Sequence, residues 1–239
     1  MQDTNSQGVR LNKLIADSGF CSRREADRLI SEGRVKVDGH IGGLGDRILP
    51  DAQVEVDGKP ILGRAKKVYI ALNKPAGVVC TADPREPMNV VSYIGHKERI
   101  FPVGRLDKDS EGLLLLTSDG EIVNKILRAA GGHEKEYLVT VNKPIDREFL
   151  RKMAAGVPIL DTVTLPCKIE QTGKNSFRLI LVQGLNRQIR RMCEALGYRV
   201  TKLTRVRIMN IRLGHLLPGH WRNLTSGELR ELMRRVDSK

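Results

Sequence analysis

The sequence predicts an α+β chain in two parts, and three observations carry that expectation. Residues 9–62 read as two short helices followed by short strands, a small mixed α/β unit. From residue 68 onward, strand-like segments outnumber helical ones without alternating strictly with them, which favours a mixed, mainly antiparallel sheet flanked by helices. Between the two lies a short basic stretch, GRAKK, at residues 63–67. The expected division is a polar tail over 1–8, a first domain over 9–62, a linker over 63–67 and a second domain over 68–239. A chain of 239 residues is long enough to give each part its own core.

In the first part, Leu11, Leu14 and Ile15 form an apolar stripe of helical spacing, with Gly19 suited to the end. Ser22 and Glu25 are spaced as a capping box. The helix they open turns Ala26, Leu29 and Ile30 inward, and Gly33 stops it. Val35 and Val37 alternate with Arg34 and Lys36 as a half-buried strand does. Asp38-Gly39 and Asp57-Gly58 are hairpin-type turns.

In the second part, residues 68–72 predict a strand, and NKPAG at 73–77 a turn. Further strands are expected over 100–103, 113–116, 136–141 and 176–182. The four leucines at 113–116 predict burial on both faces. Gly120 begins a helix with Ile122, Val123, Ile126 and Leu127 inward. Two more helices are expected over 146–155 and 186–196. A last one opens with a second capping box, Thr225 to Glu228.

Forty-one Lys and Arg against 28 acids give a formal net charge of +13. An excess of this size points to a polyanionic partner, most often nucleic acid. Solubility charge is the plain alternative. No basic amphipathic helix adjoins an apolar anchor, which weakens a membrane-surface reading. The first residues lack the apolar run of a signal peptide, and the aliphatic runs are far too short to span a bilayer. Cys21, Cys80, Cys167 and Cys193 form no CxxC pair, and the five histidines show no ligand spacing. A soluble cytoplasmic protein without metal is expected.

Arg10, Lys13, Arg23, Arg24 and Arg28 fall on the outer faces of the first two helices. On composition alone such faces are simply solvated. The whole run RLNKLIADSGFCSRREADRLISEGRVKVDG, however, closely resembles the S4 RNA-binding domain. That resemblance implies contact with the phosphates of structured RNA from these helices, and it does not imply catalysis.

Two segments of the second part could carry chemistry. In NRQIRRMCEAL, Ile189, Met192, Cys193 and Leu196 recur at core spacing, so Arg187, Arg190 and Arg191 are expected on the other side, in the first turns. Residues 183–207 hold seven Lys or Arg and one acid. Cations at a helix start oppose its dipole, so a phosphate or a carboxylate is expected nearby. The second segment is GRLDKDSEGLLLLTSDG, where Asp107, Asp109 and Glu111 crowd one loop. Such a loop is usually only a soluble connection. A metal site would need the loop to fold back, because alternate residues on extended chain diverge. A lone Asp107 facing the arginine helix is simpler, since a guanidinium would hold it as the anion needed for nucleophilic attack. Asp109 and Glu111 are expected to shape the loop, through turn bonds or pairing with Lys108.

Together, GRLDKDSEGLLLLTSDG, NKPAGVV, KEYLV and QGLNRQIRRM resemble the RsuA-type ribosomal-RNA pseudouridine synthases, which also carry an S4 domain ahead of the catalytic part. Many relatives have an aromatic or histidine where this chain has Asn186 and Arg187. Some carry a Lys-rich tail beyond the last helix; the chain given ends at Lys239, and contacts from such a tail are not expected. The resemblance implies that Asp107 is the nucleophile and that Tyr137 packs against the target base, with general-base action as a further role open to it. It implies that Arg190 pairs with the aspartate and that Arg105 fills the gap left by the flipped uridine. Arg187 and Arg191 are expected to hold phosphates, and Lys74 with Pro75 to lie near the site, as support or as RNA contact. It further implies isomerisation of a uridine in ribosomal RNA, of the large (23S) RNA in particular, without cofactor. Two rivals remain at this point: a non-catalytic RNA-binding assembly factor, and a metal-dependent nuclease using the acidic loop.

Overall fold

A computed structural model describes residues 8–49, 51–61, 67–127 and 132–237. Residues 1–7, 50, 62–66, 128–131 and 238–239, which include most of the polar tail and most of the expected linker, lie outside the described residues. The chain forms two compact units that meet in sequence between Lys67 and Val68.

In the first unit, helices Leu11–Asp17 and Arg23–Ser31 pack Leu11, Ile15, Ala26, Leu29 and Ile30 against Val35, Ile48, Val54 and Val56. Four short strands, in the spatial order His40–Ile41, Val35–Val37, Val54–Val56 and Lys59–Pro60, pair antiparallel. Both expected turns have positive φ at their two central residues: 49° and 82° at Asp38-Gly39, 52° and 73° at Asp57-Gly58. That is the type I′ geometry whose twist matches the strands it joins. The Ser22 hydroxyl accepts from the Glu25 amide at 3.0 Å. The other half of the expected box differs, because the Glu25 carboxylate takes the Arg28 guanidinium.

The second unit is built on a nine-stranded sheet. Its spatial order is Lys168–Gly173, Ser176–Leu181, Lys135–Val141, Val200–Ile208, Glu111–Thr117, Tyr69–Lys74 and Trp221–Asn223. Phe101–Val103 and Ile211–Arg212 add to this path by pairing with Glu111–Thr117 and Val200–Ile208. All pairs are antiparallel except Val200–Ile208 with Glu111–Thr117, which run parallel. The four leucines explain their own uniform apolarity. Leu114 and Leu116 join Ile70, Leu72 and the core under helices Arg147–Ala155 and Gln188–Ala195. Leu113 and Leu115 join Ala71, Val103 and the core under helices Gly120–Leu127 and Ser226–Asp237. Side chains of a strand alternate between faces, so a strand covered on both sides must be apolar throughout. Each leucine contributes roughly 1.5–3 kcal/mol by its burial.

Some elements differ from expectation. The strand predicted over 68–72 continues through Asn73 and Lys74, leaving only Pro75, Ala76 and Gly77 as the turn. Leu127, expected inward, is exposed at the end of its helix. The Thr225 box forms in full: Thr225 N donates to Glu228 at 2.9 Å and Glu228 N to the Thr225 hydroxyl at 3.2 Å.

The parallel pair is short, matching only Thr204 with Glu111 and Arg205 with Gly112. Farther along Glu111–Thr117, strand Phe101–Val103 takes over the same edge. The two neighbours diverge at Gly112, whose φ of 100° suits glycine. A Cβ there would stand 2.3 Å from the Arg205 carbonyl oxygen. Gly112→Ala is therefore expected to lower stability by about 3 kcal/mol through strain and backbone collision, which thermal melting will read.

Candidate active site

The split beside Gly112 opens a cavity of about 640 Å³, lined by Asp107, Tyr137, Leu185, Arg187, Leu203 and Arg205 among others. This lies within the range of small-ligand pockets. Loop 104–110 forms one wall, and its shape is held through its backbone. Lys74, fully buried, donates from Nζ to the carbonyls of Pro75 at 2.7 Å, Lys108 at 3.2 Å and Ser110 at 2.8 Å. The Gly77 amide donates to the Lys108 carbonyl at 2.8 Å. Arg190 reaches the Ser110 hydroxyl at 3.2 Å and the Asp109 carbonyl at 3.4 Å. Arg205 donates to the carbonyls of Leu113 at 2.7 Å and Arg105 at 3.4 Å.

These three cations are buried, and burying a charge is costly unless it is bonded and compensated. Burial pulls the Lys74 ammonium below the usual lysine value, while Cys80, Asp109, Glu111 and Asp107 act in the opposite sense. The crowding of acids in a basic chain thus has a physical reason, since they offset the cations beneath them. The RNA contact expected of Lys74 is corrected by its burial: the ammonium is spent on three carbonyls and cannot reach a ligand.

Asp107 lies 3.7 Å from Arg187 Nη1 and 3.7 Å from Arg190 Nε. Those separations exceed a hydrogen bond, so the guanidiniums hold the anion electrostatically and leave its lone pairs available. Asp109 shares the same pair, 3.8 Å from each arginine, and Glu111 meets Lys202 at 3.8 Å. The expected partner of the two outer acids, Lys108, is thereby replaced. The loop does fold back enough to bring Asp107 and Asp109 together, but onto arginines. Among the described residues, no group of three or more His, Cys, Asp or Glu is placed to hold a metal ion. The four cysteines form no disulfide with one another. Burial pushes the thiols of Cys167 and Cys193 up to about 11 and about 12, which makes both poor nucleophiles.

The arginines separate in a way the helical spacing did not predict. Helix Gln188–Ala195 begins one residue after Arg187, which caps it in the left-handed region at φ 48°. This conformation costs a residue with a side chain roughly 1–2 kcal/mol. From there Arg187 stands exposed over both aspartates. Arg190 belongs to the inner face and is 9% exposed. Arg191 is half-buried and tied to Asn186, through its carbonyl at 3.1 Å and its side-chain oxygen at 3.3 Å. Tyr137 is 9% exposed and lines the cavity, and Arg105 is exposed on the loop.

In the first unit, Arg10, Arg23 and Arg24 are exposed at the starts of the two helices. Lys13 pairs with Asp17 at 3.3 Å. Arg28 lies between Glu25 and Glu32, 2.9 Å from the latter. Two cavity residues were not singled out from sequence, Lys135 and Arg205. Their signal was present: in VTKLTRVRI, Arg205 takes a position two residues from Leu203, where period-2 alternation calls for an inward apolar side chain.

Comparison with known proteins identifies the family. The model of the RNA pseudouridylate synthase family matches residues 68–195, and that of the S4 domain residues 9–54. The chain is 54% identical over 232 residues to the dual-specificity RNA pseudouridine synthase RluF of Escherichia coli (strain K12), covering 96% of this chain and 80% of that one. It is 38% identical over 237 residues to the ribosomal large subunit pseudouridine synthase B of Bacillus subtilis (strain 168), covering 95% and 97%. A crystal structure of a pseudouridylate synthase superposes with a TM-score of 0.68 at 30% identity, covering 94% of this chain and 99% of the other.

Proposed function

Because this chain belongs to the RNA pseudouridylate synthase family, of the RsuA type with an S4 domain ahead, and is an RNA pseudouridine synthase, we propose that Asp107 is the nucleophile of that isomerisation. The observation that carries the assignment is the aspartate on a pinned loop, held by Arg187 and Arg190 at the wall of a cavity that also presents Tyr137. The reaction breaks the bond from C1′ to N1, turns the uracil and rejoins C1′ to C5. The hydrogen on C5 leaves as a proton and N1 gains one, so the product is an isomer and no electron donor or acceptor is consumed. The carboxylate adds to C6 of the base or to C1′ of the ribose. Tyr137 offers a face for the flipped base, and Arg190 holds the aspartate in place. Extruding a base costs a few kcal/mol. Arg105 in the vacated stack and Arg187 and Arg191 on the flanking phosphates offset that cost.

The substrate we propose is ribosomal RNA of the large subunit, the 23S RNA. The relatives named for RNA and for the large ribosomal subunit support this choice. The test is tritium release from RNA labelled at C5 of uridine, with 23S RNA, immature large subunits and transfer RNA as separate substrates. Release from either of the first two supports the assignment, and release from transfer RNA alone would replace it.

Arg10, Lys13, Arg23 and Arg24 are the proposed phosphate contacts of the S4 unit. Arg28 is a lesser one, since Glu25 and Glu32 already hold it. Replacing Arg23 and Arg24 together by Ala is expected to weaken binding regardless of sequence and to flatten the dependence of log K on log salt by about 1 per residue. Arg28→Ala is expected to change that slope by less than half as much. Titrations at several salt concentrations will tell the two apart.

A further inference from the structure

Arg205 is 3% exposed, yet it lines the cavity together with Asp107 and Tyr137. It stands directly opposite Tyr137 in the antiparallel pairing of Lys135–Val141 with Val200–Ile208, a register that puts two side chains on one face as neighbours. A guanidinium has five N–H donors and no acceptor. Nε and Nη1 of Arg205 serve the carbonyls of Leu113 and Arg105, whereas Nη2 is buried and meets no acceptor. Lys135 brings a second cation to the same cavity. Its Nζ donates to the carbonyls of His133 at 3.2 Å and Val182 at 3.5 Å. Burial, and then repulsion from Arg205, pull its pKa below the usual lysine value. A buried donor without an acceptor is a cost that a ligand carrying an acceptor relieves.

We infer that Arg205 is a specificity residue that reads the carbonyl oxygens of the flipped uracil through Nη2, both before and after the base turns. The inference rests on the uridine-isomerising reading of the cavity. In uracil, O2 and O4 lie symmetrically about the axis through N3 and C6. A half-turn about that axis exchanges N1 with C5, which is the exchange the reaction requires, and it exchanges O2 with O4 in the same motion. A donor aimed at one carbonyl position therefore keeps an acceptor in both orientations. Cytosine would set its amino group against the guanidinium in one of the two, donor against donor. The depth of Arg205 selects the base as its ligand, because phosphates travel with the RNA backbone and meet the exposed Arg187 instead. A site that hydrogen-bonds a substrate group rejects an analogue lacking it far more strongly than a merely apolar pocket does.

The competing role for Arg205 is a brace for the loop, through the carbonyls of Leu113 and Arg105. A cycle between protein and RNA separates the two. An rRNA fragment spanning the uridine that the protein converts is prepared with uridine, 2-thiouridine or 4-thiouridine at that position, sulfur being a weak acceptor. Single-turnover rates are then measured for the wild type, Arg205→Met and Arg205→Lys. The wild type is expected to slow at least tenfold on both thio substrates. In Arg205→Met that penalty should shrink below threefold, although its rate on uridine is already reduced, and Arg205→Lys should keep part of it. Equal wild-type rates on all three RNAs would overturn the inference, as would a uniform slowing of all three by Arg205→Met, the signature of a brace. If melting shows that the Met variant does not fold, the Lys variant carries the same comparison. Asp107→Asn on the uridine substrate runs alongside: its loss of turnover supports the catalytic reading of the cavity whatever Arg205 does, and its full activity would remove that reading itself.

Discussion

Asp107→Asn is expected to lower tritium release from C5-labelled RNA on the order of 10³-fold or more, with RNA affinity unchanged within about threefold. The amide matches the carboxylate in size but is no nucleophile. The fold should tolerate it, because the loop is shaped by bonds to its backbone carbonyls from Lys74, Arg190 and Arg205, none of which involves the Asp107 side chain. The neighbouring Asp109→Asn serves as the matched control. It removes the same charge beside the same arginines and should slow release by no more than about tenfold, a loss of electrostatic support rather than of a bond-forming group. Equal losses in the two variants would transfer the effect from chemistry to charge.

Lys74→Met is expected to destabilise the second unit by about 3 kcal/mol, because three carbonyls, that of Ser110 buried and those of Pro75 and Lys108 partly so, lose their shared donor. For a unit of this size the melting temperature should fall by roughly 6–12 °C. Below that transition RNA affinity should match the wild type, since the ammonium is fully buried. Activity should fall further than affinity, because Lys108 and Ser110 flank the proposed nucleophile's turn. An unchanged melting temperature with weakened RNA binding would instead restore the RNA contact first read from the motif.

Features set by near neighbours in the chain were legible in the sequence. The Ser22 and Thr225 caps, both Asp-Gly turns and the doubly covered leucine strand all express short-range chemistry with a characteristic letter pattern. The family resemblance also drew Asp107, Tyr137 and Arg190 out of a composition that alone would not have singled them out. What stayed hidden is carried by backbone groups. A carbonyl has no letter of its own, so nothing in RLDKDSEGL announces that Lys74, Arg190 and Arg205 will bond to it. For the same reason Arg190 was assigned to the wrong side of its helix. The apolar stripe predicts which face turns inward, but not that the buried Ser110 hydroxyl and the Asp109 carbonyl wait there to receive a guanidinium. The left-handed start at Arg187 was equally silent, since nothing local marks that residue for a positive φ.

The bonds that pin the acidic loop come from far along the chain: Arg190 reaches Asp109 across 81 residues, and Arg205 reaches Leu113 across 92. Loop closure over such separations is slow compared with the local contacts of helices and hairpins. During synthesis, which proceeds from the N-terminus, the first unit has all its contacts to hand after some sixty residues. The loop of Asp107, the proposed nucleophile, lacks its bonds from Arg190 and Arg205 until those residues have left the ribosome. On the roles proposed for the two units, RNA binding precedes reaction in the nascent chain, and reaction waits for the last central strand to close beside Gly112.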